Sequence, residues 1–303
     1  MSAQPYGCTL RGMKHIATSW VVRAAAWLVR RLPASCIPGL SRFLAGALML
    51  FAPRRQAIAE NNIRRALGDG ISRERVRQIR VACVRNMART MLELLRFPAA
   101  TKSQIMNRAE LSGREHLDRA LARGKGVLII TAHFGNWEFL GVRMAAEGYS
   151  LFAVARDAAH SATAQVMNAA RECTGATMIE RDNARQMLRA LQSQAILFML
   201  PDQHVAEGGV VADFLGRPAM TATGPANLAA RTDCPVLPAF CGYAEDGSLW
   251  TDIQPPLQLV DTGDRDSDIV TNTQRIADAI AAQIRKYPEQ WLWLHRRWKI
   301  PEQ

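Results

Sequence analysis

The stretch that most limits what this 303-residue chain can become is Gly126–Gly141, GVLIITAHFGNWEFLG. Val127–Ile130 is a short, apolar, largely β-branched run preceded by glycine, as in a strand covered on both faces. Ala132–Asn136 breaks that pattern. From Trp137 onward, Phe139, Leu140, Val142, Met144 and Ala145 recur at helical spacing. Strand, tight turn and helix in that order predict a repeating unit of an open α/β sheet. His133 then stands at the carboxyl end of the strand and Glu138 in the first helical turn. Ligands of such sheets occupy the crevice beyond the strand ends.

Further strands read at Ser150–Ala155, Thr177–Ile179, Ala195–Leu200, Cys234–Phe240, Leu249–Ile253 and Leu257–Val260, most of them separated by helical patterns. Pro255-Pro256 places the last of these at an edge. The fold class expected is α/β: a central mixed, mostly parallel sheet covered by helices. The first hundred residues read differently, as helices at Ile16–Leu32, in the apolar segment 43–53, at Gln56–Leu67 and from Ser72 to about Phe97. Pro98–Thr101 is a plausible hinge. Residues 1–100 are therefore expected to form a helical, membrane-associated module and 101–303 the α/β domain.

Two residues of the central stretch suggest chemistry. A lone histidine needs a partner to fix its tautomer and to stabilise the imidazolium it becomes on taking a proton. Glu138, five positions on, is the partner the spacing offers. Gly135 lets the backbone approach a ligand, and the free N–H groups of the new helix face developing negative charge. The plainer alternative is a surface histidine and a glutamate that only complements the helix dipole. Asp202-Gln203 follows the run Ala195–Leu200 directly, so an acidic residue again lies at a strand's carboxyl end. It either joins the same crevice or caps the loop. His204 and Glu207 have no spaced third ligand, so no metal site is expected.

Thirty-eight Lys and Arg against 27 Asp and Glu give a net charge of +11, which implies an anionic partner. No zinc-finger spacing, RNP-like strand or repeated basic helix points to nucleic acid. Acidic lipid headgroups or an acidic carrier protein fit such a surface, and the basic residues concentrate before Arg96. The charge-free segment 43–53 has 11 residues, short of the roughly 20 a spanning helix needs. Ile16–Leu32 is long enough only with Arg23 inside the bilayer, so an interface-lying anchor fits better. A soluble helical pair packed on the core is the alternative. Six cysteines without a CxxC pair read as reduced.

AHFGNWE (132–138) resembles the HX4D/E motif of glycerolipid-type acyltransferases, in the wording of the lipid A late acyltransferase family, the Kdo-dependent lauroyl and myristoyl transferases. PEQWLWLHRRWK (288–299) resembles the string that ends the domain in that family. Between them, Gly175–Arg181 resembles the second acyltransferase block, and Arg171 with Gly175 the late acyltransferases' R-x-x-x-G. Pro201–Gln203 resembles the third block, and Cys234–Pro238 the fourth. Arg156 stands where the family often has Arg-Pro, with Asp157 in place of the proline.

The resemblance covers roughly Gln56 to Lys299 and implies an enzyme that moves a fatty acyl chain from an acyl-carrier-protein or CoA thioester to a hydroxyl of a lipid A precursor. It implies His133 as general base and Glu138 as the residue that orients it. Gly135, Asn136, Arg156, Arg171, Arg181, Asp202 and Gln203 are the expected substrate contacts. Beyond the thioester co-substrate no cofactor is implied. The partners implied are acyl carrier protein, an anionic lipid acceptor and the membrane surface, with the catalytic domain on the cytoplasmic face of a bacterial inner membrane. Transfer to another glycolipid or phospholipid is the nearest alternative. A non-catalytic lipid-binding protein on the same scaffold, or a thioester hydrolase, lies further off. The three tryptophans and basic residues of 288–299 suit either an anionic lipid interface or plain packing.

Overall fold

The computed structural model describes residues 10–68, 70–155 and 162–299, with side chains from Trp20 onward except that of Ala162. Four helices lead: α1 (Leu10–Arg31), α2 (Cys36–Phe51), α3 (Pro53–Leu67) and α4 (Arg73–Arg96). Pro53 opens α3, where its missing N–H costs nothing. The Ser72 hydroxyl accepts from Arg75 N–H to start α4. Two short helices follow, α5 (Lys102–Met106) and α6 (Arg114–Leu121). The sheet then builds as β1 (Val127–Ile130), α7 (Trp137–Glu147), β2 (Leu151–Ala155), α8 (Ala162–Cys173), β3 (Ala176–Glu180), α9 (Ala184–Gln192) and β4 (Ile196–Met199). The chain continues through β5 (Gly209–Asp213), β6 (Pro218–Ala222), α10 (Gly224–Thr232), β7 (Val236–Tyr243), β8 (Leu249–Ile253) and α11 (Arg265–Lys286).

The six-stranded sheet has the order β3-β2-β4-β1-β7-β8. The first five strands are parallel and β8 is antiparallel to β7, so the mixed, mostly parallel sheet is as expected. Alternate residues of each strand enter opposite cores. Leu128, Ile130, Leu197 and Val236 pack with α3, α9, α10 and α11. Val127, Ile129, Ile196, Phe198 and Leu237 pack with α6 and α7. Both faces of β1 are therefore buried, which is why its sequence is continuously apolar.

One strand expectation needs correction. Leu257–Val260 is not a strand. Leu257 N–H reaches Val236 O, while the Asn272 side chain takes both the N–H and the C=O of Val260, leaving no ladder to extend. β6 pairs with β5 as a separate hairpin, and α10 begins directly after it at Gly224-Pro225.

Among the described residues no single helix is long and apolar enough to cross a membrane. The α2–α3 pair meets that test only jointly and is bent by 97° at Ala52. α1 and α2 leave Trp20, Trp27, Phe43, Leu50 and Phe51 exposed. α4 crosses from this layer onto the sheet domain, where Asn86, Thr90 and Glu93 are buried against the turn after β1 and the chain's last segment.

Candidate functional site

The turn after β1 is fixed by its backbone. Phe134 forms an antiparallel bridge with Trp291. Gly135 N–H donates to Gln290 O at 2.8 Å, Asn136 N–H to Cys241 O at 2.9 Å, and Leu292 N–H to His133 O at 3.0 Å. Gly135 has φ +52°, and a Cβ there would lie 2.2 Å from the Cys241 carbonyl oxygen. Both the left-handed conformation and the close approach require glycine. Asn136, fully buried, caps α7 by accepting from Phe139 N–H at 2.9 Å.

This turn presents His133 to Asp202, just past the end of β4. His133 Nδ1 lies 2.9 Å from Asp202 Oδ1, and the His133 backbone N–H donates to Asp202 Oδ2 at 2.9 Å. Trp291 Nε1 donates to the same Oδ2 at 2.8 Å. Asp202 is 1% exposed. Burial alone would raise its pKa, but the His133 charge and the hydrogen bonds from His133 and Trp291 outweigh it and hold the carboxyl below its ordinary range. An ionised carboxylate only accepts, so in the neutral imidazole Nδ1 carries the proton and Nε2 keeps its lone pair. The Trp137 ring packs edge-on against the imidazole with centroids 5.2 Å apart. Gln203 Nε2 lies 3.4 Å from both ring nitrogens.

Behind Asp202 much of 291–297 is buried. Trp293 and Arg297 are fully enclosed. Arg297 donates to Met220 O and Thr221 Oγ1, and its guanidinium lies 4.6 Å from the Phe214 ring centroid. Burial lowers its pKa to about 10 against the upward pull of Asp202. Burial likewise lowers His295 to about 4, and its Nε2 accepts from His204 N–H at 3.2 Å. Of the two readings of residues 288–299, packing is the one realised for Trp291, Trp293 and Arg297.

Glu138 does not reach His133. Its carboxylate receives Arg171 Nε at 2.9 Å and Nη2 at 2.5 Å, and Trp137 Nε1 at 3.0 Å. The physical reason is the helix itself. Glu138 is the second residue of α7 and faces α8, while the imidazole is drawn by its Nδ1 toward β4. The bidentate pair overcomes the burial of the guanidinium and raises the Arg171 pKa. Two other expectations are also revised. Gly135 and Asn136 are not free to contact substrate, since both N–H groups and both ends of the Asn136 amide are already taken. These N–H groups are likewise not available as oxyanion donors. Arg181 is half exposed beside Asp182 at the crevice rim. Arg156 lies outside the described residues.

His133, Glu138, Arg171, Arg181 and Gln203 all border one crevice of about 620 Å³ at the carboxyl end of the sheet. It straddles both faces. Gly141, Ala153 and Met167 line it on the α7–α8 side, and Met187, Met199 and Leu228 on the α9–α10 side. The walls are largely apolar, and the polar groups gather near His133 and at the arginines, as suits a ligand with a long apolar part and a polar reacting end. Among the described residues no three His, Cys, Asp or Glu side chains gather to hold a metal ion.

Sequence reasoning missed Trp291 as a partner of the site and gave Asp202 a substrate role where the structure gives it His133. The position of Asp202 at a strand end was the available signal. The indole carried none, because nothing local links it to residue 202.

An apolar crevice with a carboxylate-held histidine at its polar end suits acyl transfer, and the comparisons give the chain's family. Residues 9–300 match the bacterial lipid A biosynthesis acyltransferase family, to which the chain belongs. Its relatives include a phosphatidylinositol mannoside acyltransferase of Mycobacterium tuberculosis, 25% identical over 93% of this chain and 89% of the relative. The protein of the same description from Mycolicibacterium smegmatis is 27% identical over 91% and 90%. The lipid A biosynthesis lauroyltransferase of Escherichia coli is 24% identical over 93% and 91%.

Proposed function

We propose that this acyltransferase moves a fatty acyl chain from an acyl-carrier-protein or CoA thioester to a hydroxyl of a lipid A precursor. The observation that carries the reading is the His133–Asp202 pair opening into an apolar crevice edged by arginines. His133 Nε2 takes the proton of the acceptor hydroxyl as its oxygen attacks the thioester carbonyl. The tetrahedral intermediate collapses with cleavage of the C–S bond, and the imidazolium returns the proton to the departing sulfur. Asp202 holds the ring and stabilises its charge. Help from a base of this kind contributes about 10²–10⁴-fold. Gln203, whose amide borders the ring, is the side chain placed to donate to the oxyanion. Arg171 and Arg181 offer charge to a phosphate of the acceptor or donor.

A second acceptor, phosphatidylinositol mannoside, is favoured by the relatives of 25–27% identity that carry that description. Acyl carrier protein, an anionic acceptor and a membrane surface are the partners we propose, at the cytoplasmic face of a bacterial inner membrane. The net charge of +11 and the exposed aromatic residues of α1 and α2 support an interfacial position. The 16 residues of α2 extend about 24 Å, below the roughly 30 Å of a hydrocarbon core.

The test is transfer of labelled acyl chain from acyl carrier protein or CoA to each acceptor in detergent. Wild type should acylate one of them and His133→Ala should not. Equal transfer by both proteins would overturn the base assignment. Labelled fatty acid released without any acceptor would mark a hydrolase.

A further inference from the structure

Glu93 is a buried carboxylate that the reaction as described does not use. It sits near the end of α4, 6% exposed as a side chain, and accepts from Arg89 Nε at 3.1 Å and Arg108 Nη2 at 2.8 Å. Its other oxygen accepts from Asn136 Nδ2 at 2.5 Å, with the Tyr243 hydroxyl at 3.4 Å. One turn earlier, the fully buried Thr90 hydroxyl donates to Gly135 O at 2.7 Å. A turn before that, Asn86 Nδ2 donates to Glu289 O at 3.2 Å. Residues 86, 90 and 93 share one face of α4. That face grips the turn after β1 and the segment that delivers Trp291.

Asn136 is the link between this grip and the reacting groups. Its amide is engaged at both ends, with Nδ2 on Glu93 and Oδ1 on Phe139 N–H. The helical turn it caps begins with Trp137, packed on the His133 ring, and Glu138, the partner of Arg171. A buried ion cluster that served stability alone needs no bond to the cap of α7, since Arg89 and Arg108 already compensate Glu93.

We propose that Glu93 and Thr90 are positioning residues, which latch the Gly135-Asn136 turn to α4 and thereby set the imidazole of His133 for proton transfer. This rests on His133 acting as the base. Displacing a reacting group by about 1 Å costs about 10²-fold in rate, so a latch that holds the turn carrying His133 acts on kcat.

The donor–acceptor pattern gives a specific test. In Glu93→Gln the single amide oxygen is drawn to Arg89 and Arg108, which turns the N–H₂ toward Asn136 Nδ2, so either the latch or the cap must break. Asn136→Asp sets a carboxylate against Glu93. Glu93→Gln/Asn136→Asp exchanges donor and acceptor and restores both bonds at unchanged total charge. Each single variant should lower kcat about 10- to 100-fold with the donor KM within about twofold, and the double should return to within about threefold of wild type. Assays run at a temperature where thermal melts show every variant folded. Wild-type kcat in both single variants, or a double variant no better than the worse single, would overturn the latch. Should a Glu93 variant not fold, Thr90→Ser and Thr90→Val decide. Serine keeps the bond to Gly135 O and should keep kcat, whereas the isosteric valine should lose about tenfold, and equal rates in the two would overturn the proposal. His133→Ala is assayed alongside. Wild-type turnover in that variant would remove the base assignment itself, a failure distinct from that of the latch.

Discussion

The two sides of the His133 turn use the same kind of group to different ends. Toward β4, Asp202 is wholly buried and spends its oxygens on the imidazole, the His133 backbone and Trp291. Toward α8, Glu138 is nearly as buried but spends its oxygens on Arg171 and Trp137. The carboxylate close to His133 in sequence holds an arginine at the crevice wall. The one 69 residues away holds the ring. Direction rather than acceptor capacity divides the two roles: Glu138 points to Arg171 on α8, and Asp202 points to the imidazole.

Breaking the Asp202 side should cost most. Asp202→Asn can present an N–H to Nδ1, which leaves Nε2 protonated and useless as a base. We expect kcat to fall about 10³- to 10⁴-fold, by analogy with the tautomer change in the serine-protease triad, with little change in donor KM in a transfer assay. Gln203→Ala should lower kcat about 10- to 10²-fold in the same assay if its amide donates to the oxyanion, somewhat less than a backbone-quality donor. Trp291→Phe removes one bond to Asp202. Its effect should be about 3- to 10-fold on kcat, since a hydrogen bond to a charged group contributes about 1.5–3 kcal/mol and the other two bonds remain.

Glu138→Gln sharpens the contrast from the other side. The amide keeps one bond to Arg171, and the 21% exposure of Arg171 lets water share the charge. Stability in denaturant melts should drop by about 1–3 kcal/mol, and kcat by no more than about tenfold. A loss matching that of Asp202→Asn would return Glu138 to the role its spacing suggested.

The smallest effect expected is a pH dependence. Folded His295 resists protonation until about pH 4, whereas an unfolded histidine takes its proton near pH 6.5. Between those values the unfolded chain binds more protons, so stability is full above pH 6.5 and declines toward pH 4. His295→Gln should flatten that slope by about 1–3 kcal/mol across the window, measured by thermal melts at each pH.

Much of this was legible because it is local. The run Val127–Ile130 could only be a doubly covered strand, and a histidine after it had to fall at the sheet's carboxyl end. Asp202 and Gln203 were found by the same reasoning after Ile196–Met199. What stayed hidden depends on which groups meet across the fold. Spacing favoured Glu138 as the partner of His133, but an i to i+5 separation across a turn fixes no direction for either side chain. Gly135 and Asn136 read as ligand contacts because a glycine and an amide beside a histidine are typical of both a binding loop and a clamped turn. Only their commitment to Gln290, Cys241 and Glu93 separates the two. The Trp-rich end of the chain had the composition of a membrane interface and the location of a core. Leu257–Val260 had strand composition but no free edge to join.

The central claim, that Asp202 and not Glu138 sets the His133 tautomer, is tested most directly by ¹⁵N NMR of the protein labelled in its histidines, with His133→Gln to assign the signal. In the neutral imidazole of wild type the proton is expected on Nδ1 with Nε2 bare, the same pattern is expected in Glu138→Gln, and the proton should move to Nε2 in Asp202→Asn. An unchanged tautomer in Asp202→Asn, or a proton moved by Glu138→Gln, would contradict it.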